Sequence, residues 1–197
     1  MQSITASGSM AGSRYDWQAG SVRVVAGEAR GRALLAPPGR DTRPTADRVR
    51  EATFNALHSL DLVLDATVLD LFAGSGALGI EALSRGARHA TFVDHDARTL
   101  AVVRQNLETT GFGDRSAVVR ADAERYELLE PVDLALLDPP YAFTDEQWLH
   151  LLGRLPASTV VMESNREVPV PLLWIILRAR KYGSTVVTIA RQEGTQA

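Results

Sequence analysis

From Thr67 onward, short apolar runs bounded by turn formers alternate with stretches of helical periodicity. This alternation restricts the fold more than any other feature. Short apolar runs of this kind read as buried strands, and longer stretches with apolar positions three and four apart read as helices. The expected strands are Val68–Phe72, His89–Val93, Ser116–Arg120, Val132–Leu137 and Thr159–Met162. The expected helices are Gly76–Arg85 and Ala97–Thr110, ended by Gly86 and Gly111, and one near Thr144–Leu155. A short helical piece is expected at Ala123–Leu129, and Pro169–Leu173 has no assignable pattern. Trp174–Lys181 and Thr185–Ala190 straddle Tyr182-Gly183-Ser184 and form an antiparallel hairpin. Strands joined by helices need crossovers, so the fold class is α/β, a doubly wound, mostly parallel Rossmann-like sheet.

The chain ahead of this region is different. Residues 1–13 are small and polar and read as a tail or an expression scar, with Met10 as a candidate natural start. Ser21–Val25 and Arg32–Ala36 flank Gly27 and Gly31 and read as a small β-hairpin, ended by Pro37-Pro38-Gly39. A helix is expected over Ala46–Leu60, capped by Thr45, with Val49, Thr53, Phe54 and Leu57 as its core stripe and Arg48 off it. The expected division is therefore a tail (1–13), a hairpin and helix (14–60) and the α/β domain (61–197).

Charge separates the same two parts. Arg14 to Arg50 holds eight Arg and four acids, while residues 51–197 hold 13 basic residues and 20 acids. A basic end on an acidic body suits contact with a polyanion; an Arg-rich solvated face is the commoner fate of such runs. Cys is absent, which excludes disulfides and thiolate metal sites, and the four His show no ligand spacing, so no metal is expected. No apolar run approaches the ~18 residues of a membrane span, and a cytoplasmic monomer is expected.

Two stretches carry chemistry. The first is Gly74-Ser75-Gly76-Ala77-Leu78-Gly79, which follows a strand and opens a helix as a dinucleotide fingerprint does. Asp94, about 20 residues on, stands where an acid holds ribose hydroxyls. Nicotinamide and flavin cofactors are thus candidates, but Asp70, two residues before Phe72, would repel a pyrophosphate. S-adenosyl-L-methionine carries a sulfonium and an ammonium, which a carboxylate favours. Asp122 follows the third strand and suits either an adenine amine or plain solvent. The second stretch is Asp138-Pro139-Pro140-Tyr141, a carboxylate, a rigid turn and an aromatic ring at the C-terminal end of a buried strand. Alone it also reads as a strand cap.

Val68 to Ala87 resembles the first motif of class I S-adenosylmethionine-dependent methyltransferases, and D-P-P-Y resembles the catalytic motif of those that methylate exocyclic amines. Arg43 to Asn55 (R-P-T-A-D-R-V-R-E-A-T-F-N), with Arg178 to Gly183, is similar to RsmD-type 16S rRNA guanine-N2 methyltransferases. The resemblance spans about Val22 to Arg191, with a short, Pro-broken stretch at Val168–Leu173 as its departure.

It implies methyl transfer from S-adenosyl-L-methionine, leaving S-adenosyl-L-homocysteine, to one guanine (position 966) of 16S rRNA or the small ribosomal subunit. It implies a cofactor site of Asp70, Phe72, Gly74, Gly76, Asp94 and Asp122 and a catalytic site of Asp138, Pro139, Pro140 and Tyr141. The basic segment offers Arg30, Arg32, Arg43, Arg48 and Arg50 to RNA. The residues themselves do not choose guanine over adenine or cytosine, and D-P-P-Y also suits adenine-N6 or cytosine-N4 methylation. A non-catalytic RNA-binding assembly factor is the other alternative.

Overall fold

The computed structural model describes residues 18–36 and 44–194. The tail 1–13, Pro37-Pro38-Gly39 and Arg43 lie outside the described residues. Strands β1 (Gln18–Arg23) and β2 (Ala33–Ala36) form an antiparallel ribbon, followed by α1 (Pro44–Ser59). The chain continues through β3 (Thr67–Leu71), α2 (Ala77–Ser84), β4 (His89–Asp94), α3 (Ala97–Thr110) and β5 (Ser116–Arg120). After β6 (Val132–Leu137) come α4 (Asp145–Arg154), β7 (Ala157–Ser164), β8 (Trp174–Tyr182) and β9 (Thr185–Gln192).

The expected α/β sheet is present, with seven strands in the order β5-β4-β3-β6-β7-β9-β8. The first five are parallel; β9 runs antiparallel to β7, and β8 antiparallel to β9. The chain winds outward from β3 to β5, then returns to place β6 on the other side of β3. This reversal opens a crevice beyond the C-terminal ends of β3 and β6. Each face of the sheet has its own core. Leu134, Leu136 and Val161 pack with Ile80 and Leu83 of α2 and Val103 and Leu107 of α3. Leu69, Leu137 and Met162 pack with Trp148, Leu151 and Leu152 of α4.

The ribbon and α1 join the first of these cores. Val22, Val24 and Leu34 pack with Val49, Phe54 and Leu57 against the Ile80 side of the sheet. Polar side chains fix the ribbon in place. Glu81 of α2, fully buried, accepts from Val25 N at 2.7 Å and Ala26 N at 3.1 Å. Ser84 Oγ accepts from Ala29 N at 3.0 Å. Asn106 of α3 accepts from Leu35 N at 2.8 Å and donates to Leu35 O at 3.0 Å. Each bond satisfies a ribbon backbone group that its own two strands leave unpaired.

Three local expectations change. Helix α1 starts at Pro44, ahead of the expected Ala46, so the Thr45 position falls within it. Proline's fixed φ and missing N–H suit a first helical position. Ala123–Leu129 is a turn followed by irregular chain, not a helix. Arg154 takes the carbonyls of Ala123, Glu124 and Tyr126, which a helix would use for its own ladder. Strand β7 is longer than expected because β9 pairs with it from Thr159 to Ser164.

Candidate active site

The glycine loop is held from three sides. Asp70, 2% exposed, accepts from Gly79 N at 2.9 Å through Oδ2. It thereby satisfies an amide in the first turn of α2, where the N-cap Gly76 offers no side-chain acceptor. Asp94 accepts from Gly74 N at 3.1 Å and from Asp96 N at 2.9 Å. Asn106 Nδ2 donates to Ser75 O at 2.9 Å. Gly76 has φ +78°, and a Cβ there would lie 3.3 Å from Phe92 and Val103. A Cβ on Gly79 would lie 2.4 Å from Phe92 Cε1 and 3.0 Å from Asp70 Oδ2. These two glycines let α2 press onto the sheet, whereas Gly74 lines the open crevice.

Phe72 leaves β3 with φ +70°, a left-handed conformation that costs a non-glycine residue about 1–3 kcal/mol. That reversal carries its ring to the α4 side, edge-on to Phe143 at 5.4 Å between centroids. The crevice beside it has a volume of about 440 Å³, within the ~300–1,000 Å³ common for small-molecule sites. Its walls bring together Asp70, Phe72, Gly74, Asp138 and Tyr141, with Ala46, Val49 and Arg50 of α1 on one side and Gly183-Ser184-Thr185 on another. Asp138 is exposed at the end of β6, and Tyr141 is 62% exposed. Pro139 is buried and Pro140 exposed, so the turn is anchored on one proline. Asp94 acts through Gly74, whose amide it holds. Asp122 stands apart: it is exposed, accepts from Glu124 N at 2.9 Å and lies 3.9 Å from Arg125 Nε.

The arginines divide. Arg30, Arg32 and Arg48 are exposed, and Arg43 is outside the described residues. Arg50, expected to face RNA, is 5% exposed and is a structural cation instead. Its Nη2 donates to Arg23 O at 2.7 Å and Asp47 Oδ1 at 2.8 Å. Its Nε lies 3.8 Å from Glu81, beyond a hydrogen bond but close enough for charge attraction. The physical reason is Glu81: a buried carboxylate needs cations, and Arg50 and Arg85 (Nε at 2.7 Å) supply them. Glu81 escaped the sequence reading although it interrupts an otherwise apolar helix face. Glu163 and Ser164, also on the crevice wall, escaped it as well. Glu163 had the same signature as Asp138, an acid directly after an apolar strand. Among the described residues, no cluster of His, Asp and Glu could hold a metal, and no helix is long and apolar enough to cross a membrane.

Residues 22–191 match the family described as conserved hypothetical protein 95. The chain is 34% identical over 189 residues to the ribosomal RNA small subunit methyltransferase D of Escherichia coli strain K12, covering 88% of this chain and 91% of that protein. It is 35% identical over 176 residues to the protein of the same name from Haemophilus influenzae, covering 83% and 90%. Among solved structures, the E. coli protein yhhF superposes with a TM-score of 0.76 at 35% identity, over 88% of this chain and 99% of that one.

Proposed function

The chain belongs to the conserved hypothetical protein 95 family, and from that premise we propose that it methylates the 2-amino group of one guanine in small-subunit (16S) rRNA, position 966. It is an RNA methyltransferase of the RsmD type. One observation carries the finer reading: Asp138 and Tyr141 open onto the same 440 Å³ crevice as Asp70, Phe72 and Gly74. A donor and an acceptor can therefore meet at the sheet's switch point.

The residues present fit S-adenosyl-L-methionine. Asp70 puts a carboxylate on the crevice wall, which suits cationic groups and opposes a pyrophosphate. Gly74 leaves backbone room, Gly76 shapes the turn, Phe72 closes one side, and Asp94, which does not line the crevice, fixes the loop by holding the Gly74 amide. Asp122, exposed and outside the crevice, would reach an adenine only at its rim. When bound, the cofactor supplies a methyl on an already cationic sulfur and leaves as S-adenosyl-L-homocysteine.

The guanine amine is a weak nucleophile because its lone pair is delocalised into the ring. Asp138 and the carbonyl of Pro139 accept its two N–H groups and aim the lone pair at the methyl. Asp138 would take the proton that the amine sheds on accepting the methyl, which the bound cofactor would supply while its sulfur leaves as a neutral thioether. The Pro139-Pro140 turn keeps these acceptors rigid, and most of the rate comes from positioning and electrostatics. The Tyr141 ring offers a stacking face worth ~1–3 kcal/mol to an unpaired base, so the target lies in a loop or flips out.

Segment 14–60 serves RNA docking and 61–197 the chemistry. Arg30, Arg32 and Arg48 face phosphates, and Arg43 is assigned the same role from the R-P-T motif alone. Arg178, Arg180 and Lys181 on β8 are exposed too and offer further cations, next to the Gly183-Ser184-Thr185 wall of the crevice. Mass spectrometry of rRNA from a strain lacking the gene should show one missing methyl, restored by wild type and not by Asp138→Ala; an unchanged methyl pattern refutes the proposal.

A further inference from the structure

Strands β6 and β7 pair in parallel with Leu137 opposite Met162. One residue further on, Asp138 and Glu163 stand at neighbouring positions, on strands about 4.8 Å apart. Leu137 and Met162 both face the α4 core, and Leu136 and Val161 both face the other. By side-chain alternation Glu163 falls on the α1 and α2 side of the sheet, the side of the crevice. Glu163 and Asp138 both line that crevice together with Tyr141. Glu163 also borders a small recess with Pro139 and Pro140. Two carboxylates thus open onto one crevice at adjacent points.

Guanine, adenine and cytosine differ next to the exocyclic amine. In guanine the neighbouring N1 carries a proton. In adenine N1 and in cytosine N3 the neighbouring nitrogen carries a lone pair. We propose that Glu163 accepts the N1–H of the target base beside the amine held by Asp138, and so selects guanine over adenine and cytosine. This rests on the assignment of Asp138 to the reacting amine. A base with a lone pair in that place would set acceptor against carboxylate, leaving both unpaired. Sites built to bond a substrate N–H reject analogues that lack it far more strongly than apolar pockets reject a missing methylene. Glu163 is a specificity residue here: Asp138 handles the amine and Glu163 reads its neighbour.

The test uses short RNAs carrying guanosine or 2-aminopurine at the target position, in single-turnover methyl transfer. 2-Aminopurine keeps the 2-amino group but has a lone pair at N1. Wild type should prefer guanosine on the order of 10⁴-fold. Glu163→Gln, whose amide can donate where the carboxylate accepted, should lower transfer to guanosine and shift the ratio at least about tenfold toward 2-aminopurine. Glu163→Asp should keep the wild-type preference at reduced rate. Affinity for S-adenosyl-L-homocysteine, measured by calorimetry, should stay unchanged and reports folding. An unchanged ratio in a folded Glu163→Gln protein overturns the inference. If that variant does not fold, equal use of the two bases by wild type overturns it. A folded Asp138→Ala protein that methylates guanosine at the wild-type rate would remove the Asp138 assignment and this inference with it, whereas an active, indiscriminate wild type removes the inference alone.

Discussion

Replacing Glu81 by Gln changes one buried charge and almost no volume. In the native protein its carboxylate accepts from Val25 N, Ala26 N and Arg85 Nε at 2.7, 3.1 and 2.7 Å, with Arg50 Nε at 3.8 Å. An amide must turn its NH2 toward one of these donors, losing at least one bond and leaving two cations without their shared anion. Breaking a buried ion pair costs ~3–5 kcal/mol. The lower end applies, because Arg50 keeps Asp47 and the carbonyl of Arg23, and Arg85 keeps Asn55 at 3.0 Å. A loss near 3 kcal/mol lowers Tm by about 6–12 °C in a domain of this size. Thermal unfolding of wild type and Glu81→Gln measures this. Amide hydrogen exchange should quicken first at Val25 and Ala26, because the ribbon is what the carboxylate holds. A Tm within about 2 °C of wild type, with both amides still protected, would refute the reasoning.

Three further outcomes follow from the same geometry. Gly79→Ala drives a methyl into Phe92 and the Asp70 carboxylate, so it should destabilise by ~1–3 kcal/mol and weaken S-adenosyl-L-homocysteine binding in calorimetry, while Gly153→Ala, with open space at its Cβ, should not. Asp138→Ala should leave cofactor affinity near wild type and abolish most single-turnover methyl transfer, since it removes a contact to the reacting amine alone. Arg30→Ala, Arg32→Ala and Arg48→Ala should each flatten the log–log salt dependence of RNA affinity by roughly one unit with Tm held; Arg50→Ala should instead lower Tm, and equal behaviour of all four would contradict their different burial.

Apart from Ala123–Leu129, the order of strands and helices from Thr67 to Thr185 could be read from the chain because the elements carry their own periods and several stop at a glycine or proline. Gly111 at φ +81° ends α3, and Thr144 with Gln147 closes a capping box on α4. These are interactions between residues a few positions apart, and local sequence contains both partners. The same holds for the loop after β3 and for Asp138-Pro139-Pro140-Tyr141, whose order forces a tight turn at a strand end.

What local sequence lacks is the identity of partners from distant elements. Arg50 looks like its exposed neighbour Arg48 until folding buries it beside Glu81, 31 positions away. Asp70 proves to hold the first turn of α2 as well as to face the crevice, and Ala123–Leu129 loses its helix to Arg154. Glu163 joins Asp138 only because β7 lies beside β6 in one register. Desolvation decides each case: a charge is assigned to solvent, partner or ligand by what surrounds it, and those surroundings exist only once the sheet has closed over its two cores.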